Sequence, residues 1–320
     1  MTELYQKLKE YGKVKTNELL SKHTTFKIGG PADFFVSIAS TEQLVECLRH
    51  LDGAGVSYVL LGGGSNMLVS DEGFAGVVIE VKAREKRVED NYVIADAGCI
   101  TVDIAQFSIQ NGLTGFEWGV GVPGTIGGAV RGNAGAMGGE MKDNVDKIAF
   151  YRDGEVVEIT NEECEFGYRS SAIKRDGGVV LEVWLKLEQG KDKSGMKQML
   201  EHLQYRNKTQ PQGYSSTGCI FKNADYAKNK AALLVFADAE DEKVQGFKKY
   251  GKISAGWLIE QAGMKGVKKG NAEVSEVHGN FILNKGGATA AEVLDLIDEV
   301  KQTVYNALGI QLEEEIQILK

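Results

Sequence analysis

Two glycine-rich stretches are the residues of this sequence with the clearest capacity for chemistry. The first, LLGGGSNMLV, runs from an apolar segment into Gly62, Gly63 and Gly64, then Ser65 and Asn66. Successive backbone N–H groups in such a turn form a concave nest for an anion. Glycine also lets a phosphate approach the main chain. The stretch is neither a Walker A loop, since no GK[ST] follows, nor G-x-G-x-x-G. The second, GVGVPGTIGGAVRGNAGAMGG, spans Gly119 to Gly139 and holds nine glycines in 21 residues. Within it VPGTIGGAV reads as a helix start, with Pro123 just before it and Thr125 as the cap. A helix N-terminus there would favour a pyrophosphate. Together the two stretches fit a ligand with a long anionic bridge and a large planar part lying against bare main chain. Close packing of helix on strand also selects glycine, and the glycines alone do not separate the two explanations.

The surrounding chain is of ordinary globular composition. It has 320 residues, 42% apolar and 26% charged, which suits two or three lobes. A formal net charge of −8 argues against general nucleic-acid binding, which needs a basic face. Cys47, Cys99, Cys164 and Cys219 are scattered, with no C-x-x-C pair and no metal-ligand spacing. They read as free thiols in a reducing cytoplasm, and no metal site is expected. No signal-like N-terminus and no run of 18 apolar residues is present, so neither export nor membrane insertion is expected.

Periodicity and caps place the elements. Leu4, Leu8 and Tyr11 share one face of an opening helix. FFVSIA and VSYVLL read as strands around the helix STEQLVECLRHLDGAG, with Ser40 and Gln43 in capping-box spacing and Gly53 near its end. GVVIEV and YVIADAG are further strands, and TVDIAQFSIQNGL is a helix capped by Thr101. KIAFYRDGEVVEIT is a hairpin turning at Asp153-Gly154. GGVVLEVWLKLEQG is a strand, and residues 192–207 are helical. Residues 224–252, rich in Lys, Ala, Asp and Glu, read as an inserted surface element. SAGWLIEQAGM is a helix and GNFILN a strand. TAAEVLDLIDEVKQTVYNALG is a long helix with a Thr289/Glu292 capping box and Gly309 past its end. IQLEEEIQIL closes the chain as a strand. This is a mixed α+β pattern, with lobes expected over 1–85, 86–200 and 201–320.

Nine ordered segments carry a resemblance. TTFKIGGPADFF, LLGGGSNMLVSDEGFAGVVI and GFEWGVGVPGTIGGAVRGNAGAMGGEM are similar to the FAD-binding half of the UDP-N-acetylenolpyruvoylglucosamine reductase family. CEFGYRSSAIK, RNKTQP, STGCIFKN, SAGWLIEQAGMKG, EVSEVHGNFILN and LEEEIQIL resemble its substrate and catalytic stretches, in the family's order. The similarity covers nearly the whole chain except 224–252. It implies a two-lobed FAD-binding domain of the vanillyl-alcohol-oxidase type and a C-terminal α+β substrate domain. It further implies reduction of the enolpyruvyl ether of UDP-N-acetylglucosamine by NADPH, in peptidoglycan precursor synthesis. The partners expected are that substrate and NADPH, with no nucleic acid and no second protein copy.

The resemblance also assigns residues. Arg169 matches the active-site arginine, whose permanent charge grips a carboxylate with two N–H bonds. Glu315 matches the catalytic glutamate. Cys219 stands at the proton-donor position, where many members carry serine. A thiol has a reference pKa of about 8.5 and gives up its proton far more easily than an alcohol. Tyr168, Arg206, Lys222 and Asn223 match substrate-binding positions. Gly62, Gly63, Gly64, Ser65, Asn66, Gly121, Val122, Pro123, Gly124, Thr125, Gly127, Gly128, Asn133, Gly135 and Ala136 match cofactor-binding ones. His278 and Asn280 are expected to shape the third lobe, and no catalytic role is assigned to His278.

The chain departs from the pattern in three places. Ala224 replaces a proline and opens the inserted segment, which is expected to be an external excursion that leaves Cys219 in place. Gln317 stands where arginine is common. No extra segment lies between Arg169 and Arg206, which matches the family's shorter subtype. Two other readings compete: an oxidase of small alcohols on the same fold, and a nucleotide-sugar sensor without turnover.

Overall fold

The computed structural model describes residues 2–190 and 194–320. The chain is mixed α+β and falls into two compact units that are not contiguous in sequence. Unit 1 holds Met1–Glu18, Ala32–Gly63 and Phe74–Lys208; unit 2 holds Leu19–Pro31, Gly64–Gly73 and Thr209–Lys320. Two short segments from the N-terminal third thus belong with the C-terminal part.

Unit 1 contains two sheets. The first has the strand order Lys13–Leu19, Pro31–Ile38, Phe74–Val81, Tyr58–Leu61. Pro31–Ile38 and Tyr58–Leu61 each pair in parallel with Phe74–Val81. The helix Thr41–Ala54 makes the crossover from Pro31–Ile38 to Tyr58–Leu61, which flank Phe74–Val81 on either side. The Ser40 side chain caps it by accepting from Gln43 N–H, Gly53 lies in its last turn, and the left-handed Gly55 ends it. The second sheet is an antiparallel run of five: Glu155–Thr160, Val145–Arg152, Val179–Lys186, Tyr92–Asp96, Lys86–Glu89. Its first hairpin turns at Asp153 (φ 52°) and Gly154 (φ 83°), the pair of positive φ values that matches strand twist. The helix Thr101–Gln110 has Ile100 as its N-cap with no side-chain bond. Thr101 is therefore its first helical residue rather than its cap. Ser194–Thr209 is helical, and the first positions expected for that helix lie outside the described residues.

Unit 2 is built on the helix Ala290–Leu308. Val293, Leu296, Ile297, Val300, Val304 and Leu308 form its buried stripe, at the spacing of three and four that one helix face requires. Thr289 and Glu292 form the capping box, and Gly309 ends the helix at φ 66°. Phe26, Ile28 and Leu68 are buried in the same core, which is why the two early segments belong here. Met67–Val69 pairs in parallel with Gln317–Leu319. That pairing covers only the end of the expected closing strand. Ahead of it the chain makes a single bridge, Glu314 opposite Phe221.

Residues 224–252 form two helices, Tyr226–Phe236 and Glu242–Tyr250, on a base where Ala224–Asp225 pairs with Lys252–Ile253. The base brings the segment's two ends together, so it is an excursion in topology. Most of its side chains face solvent, as expected of a surface element, but a few apolar ones anchor it. Leu233 is 0% and Val244 2% exposed in the unit 2 core, and Phe236 and Phe247 pack on Trp257 with ring centroids at 5.8 and 5.2 Å. Leu233→Ala should therefore lower stability by about 2–4 kcal/mol. Val235→Ala, at a position 86% exposed, should stay within about 0.5 kcal/mol. Equal denaturation midpoints for the two variants would show that the hairpin adds nothing to the core.

Candidate active site

The two glycine-rich stretches meet at the main chain inside unit 1. A Cβ on Gly63 would fall 2.6 Å from Gly124 Cα, and one on Gly62 would fall 2.4 Å from Thr125 Oγ1. Both distances are below any real contact, so only glycine fits. Thr125 caps the helix Ile126–Arg131 by accepting from Gly128 N–H at 3.4 Å. The other first-turn donors are also taken: Ile126 N–H donates to Cys99 O at 2.8 Å and Gly127 N–H to Ala97 O at 2.9 Å. Two of the first-turn donors of this helix thus bond within the protein, and its Gly128 N–H makes a longer bond to the cap. Packing also accounts for Gly127, whose Cβ would lie 2.7 Å from Ala97 Cβ, and for Val122, which is buried in the apolar core. Gly63, Pro123 and Gly128 are exposed. A Cβ on Gly128 would meet nothing closer than Thr125 Oγ1 at 3.4 Å. Gly121 and Ala136 touch, and Gly135–Ala136 pairs with Gly139–Glu140.

Arg169 is presented by a four-residue turn in the same unit. Gly167 N–H donates to Ser170 O at 2.9 Å, and Ser170 N–H donates back to Gly167 O at 3.1 Å. Arg169 has φ 54°, a left-handed conformation that costs an L-residue about 1 kcal/mol. Its Nη2 donates to Gly135 O at 3.1 Å, and its guanidinium lies 5.2 Å from the Tyr168 ring centroid. Arg206, expected at the substrate, donates from Nη1 to the carbonyl of Gly121. It thus braces the glycine stretch from the helix Ser194–Thr209.

Unit 2 gathers the other candidates. The bridge between Phe221 and Glu314 lays the chain around Cys219 beside that around Glu315, and Glu315 N–H donates to Ile220 O at 2.8 Å. Cys219 itself bridges Phe281. The buried Asn280 side chain accepts from Phe221 N–H at 2.9 Å and donates to Phe221 O at 2.8 Å. Gly64, Ser65 and Asn66 lie in this unit as well. Thr217 Oγ1 donates to Ser65 O at 3.1 Å, Asn66 Nδ2 to Glu315 O at 3.3 Å, and Gln317 N–H to Asn66 O at 2.9 Å. Lys222 pairs with Glu313 at 3.4 Å, while Lys301 takes Glu314 at 2.7 Å. Asn223 Oδ1 accepts from Ala255 N–H at 3.1 Å, at the start of the helix Ala255–Gln261. His278 Nδ1 accepts from Asn280 N–H at 3.2 Å, and burial pushes its pKa below the ordinary value. It shapes the turn, as the sequence suggested.

Comparison with known proteins fixes the family. Residues 210–319 match the model of the UDP-N-acetylenolpyruvoylglucosamine reductase C-terminal domain, and residues 32–160 match an FAD binding domain. The UDP-N-acetylenolpyruvoylglucosamine reductase of Bacillus subtilis is 39% identical over 325 residues, covering 100% of this chain and 99% of that protein. The Clostridium tetani enzyme of the same name is 37% identical, covering 96% of this chain and 92% of its own. The crystal structure of the Thermus caldophilus reductase superposes with a TM-score of 0.77 at 32% identity, over 97% of this chain and 100% of that one. The chain belongs to the UDP-N-acetylenolpyruvoylglucosamine reductase family.

Membership of this reductase family brings FAD, and the bare face around Gly63, Gly124 and Gly128 fits it. Exposed main chain without side chains there admits a planar or anionic group at van der Waals distance. Among the described residues no cluster of three or more His, Cys, Asp or Glu is arranged for a metal, and no helix is long and apolar enough to cross a membrane. Sequence reasoning missed Arg131, at the end of the Gly127–Gly128 helix. Burial pushes its guanidinium pKa down, and its carbonyl accepts from Ser171 Oγ at 2.6 Å. Its only signal was an arginine between two glycine runs.

The four cysteines now differ in environment. Burial pushes Cys47 and Cys164 up to about 12 and Cys99 up to about 11, whereas Cys219 is only half-buried. A buried neutral thiol is a poor nucleophile. Limited iodoacetamide treatment of the native protein at pH 8 should therefore modify one thiol per chain, Cys219, by peptide mass spectrometry. Modification of Cys47 or Cys164 before unfolding would contradict these environments.

Proposed function

We propose that this protein reduces the enolpyruvyl ether of UDP-N-acetylglucosamine to UDP-N-acetylmuramate, with NADPH as the electron source. The observation that carries the reading is likeness to the reductases along the whole chain, at 39% identity to the Bacillus subtilis enzyme. Bound FAD supplies hydride transfer, from NADPH to the terminal vinyl carbon of the substrate. The chain's own residues meet the remaining demands. Negative charge develops beside the carboxylate, and Arg169 grips that carboxylate with its guanidinium. Cys219 gives its Sγ proton to the adjacent carbon. Glu315, whose N–H donates to Ile220 O beside Cys219, serves the same proton step. Tyr168, Arg206, Lys222 and Asn223 serve the nucleotide-sugar. Lys222 and Asn223 exchange their present contacts with Glu313 and Ala255 for it.

Two sets of variants test these assignments. Cys219→Ala should let NADPH bleach the flavin at the wild-type rate and slow substrate reduction by at least about 100-fold, the usual weight of a general acid. Cys219→Ser should keep substantial turnover. An alanine variant that reduces substrate at the wild-type rate removes Cys219 as the acid. Gly128→Ala puts a methyl on the bare face of a helix. It should stabilise the FAD-free protein by about 0.5–1 kcal/mol while weakening FAD retention. Unchanged retention would move the cofactor away from Gly128.

A further inference from the structure

Asn133 matches a cofactor-binding position, yet its side chain has no surface to offer one. It is 0% exposed. Its Nδ2 donates to Glu140 Oε2 at 2.8 Å and to the carbonyl of Gly167 at 2.9 Å, and its Oδ1 accepts from Lys142 N–H at 3.0 Å. Both amide protons are therefore used inside the protein. Its φ of 42° is left-handed, a conformation in which asparagine is enriched.

Gly167 is the first residue of the turn that presents Arg169. That turn holds Arg169 in a disfavoured backbone conformation, so its surroundings must fix it. Three contacts do so from one short segment. Asn133 binds Gly167 O ahead of the arginine, Ser171 Oγ binds Arg131 O behind it, and Arg169 Nη2 binds Gly135 O. Lys174 Nζ also donates to Arg169 O at 3.1 Å from the helix that follows, and Asn133 is the side chain that reaches the turn from the glycine stretch. Aspartate in its place would set a carboxylate against two acceptors, Glu140 and Gly167 O.

We propose that Asn133 is a positioning residue for Arg169: its amide fixes the Gly167 carbonyl, and with it the direction in which the guanidinium leaves the turn. The proposal rests on the reading of Arg169 as the grip on the substrate carboxylate.

The test is a double-mutant cycle on the oxidised holoenzyme, read by calorimetric Kd for UDP-N-acetylglucosamine-enolpyruvate. Asn133→Gly keeps the left-handed backbone and deletes the amide. Asn133→Ser, a neutral side chain too short to span to the Gly167 carbonyl, runs the same cycle if the glycine variant does not fold. Arg169→Ala should weaken binding by about 30-fold, and Asn133→Gly by about tenfold. In the Arg169→Ala background the Asn133 change should cost less than about twofold, because neighbours acting through one contact are not additive. FAD content per chain and the rate of bleaching by NADPH should not change. A full tenfold loss in both backgrounds, or loss of FAD, would overturn the positioning role alone. An unchanged Kd in Arg169→Ala would overturn the reading of Arg169 and the proposal with it.

Discussion

Two main chains touching at Gly63 and Gly124 are the constraint on which the unit 1 site depends. No side chain separates them, since a Cβ at Gly63 would sit 2.6 Å from the opposing Cα. Contact at that range fixes the end of the parallel strand Tyr58–Leu61 against the stretch that runs from Glu117 to Arg131. That stretch is in turn anchored by Trp118, Val122, Ile126 and Val130 in the core of the five-stranded sheet. The result is a rigid patch of main chain with few side chains on it. Glycine loses more conformational freedom on folding than other residues, and the anchoring residues offset that cost by burial.

Where the backbone leaves regular ladders, asparagine side chains replace them. Asn280 binds both polar groups of Phe221, and Asn284 binds Phe26 O together with the N–H groups of Gly286 and Ala288. Asn66 ties the segment after Gly64 to Glu315, and Asn133 ties the glycine stretch to the arginine turn. An amide offers donors and an acceptor in one plane, so it can stand in for a missing strand. Buried backbone groups must find such partners or lose stability. The candidate catalytic residues sit on these irregular segments: Cys219 two residues from Phe221, Arg169 two from Gly167, and Glu315 at the carbonyl that Asn66 binds.

Local signals were legible in the sequence because local chemistry decides them. The caps at Ser40, Thr125 and Thr289, the Asp153-Gly154 turn and the long amphipathic helix stand where spacing put them. Thr101 misled because a capping residue type also fits the first turn. Long-range features were not legible. Nothing local in Leu19–Pro31 or Gly64–Gly73 says that Phe26, Ile28 and Leu68 belong to the C-terminal core. The charged composition of 224–252 hid Leu233 and Val244, two apolar residues that decide where the hairpin packs. Asn133 was legible as a member of a motif but not in its contacts, which depend on a turn 34 residues away.

The central claim is a hydride delivered to the vinyl carbon followed by a proton delivered from the protein to the carbon beside the carboxylate. Turnover in D2O with unlabelled NADPH, followed by NMR of the lactyl ether, tests it most directly. The account predicts one deuterium at the carbon bearing the carboxylate, and, in single turnover with 4-deuterated NADPH in H2O, NADPH-derived label in the methyl group alone, diluted to the extent that the N–H of the reduced cofactor exchanges with solvent. Hydrogen rather than deuterium at the carbon bearing the carboxylate in D2O, NADPH-derived label at that carbon, or unchanged substrate and no product, would contradict it.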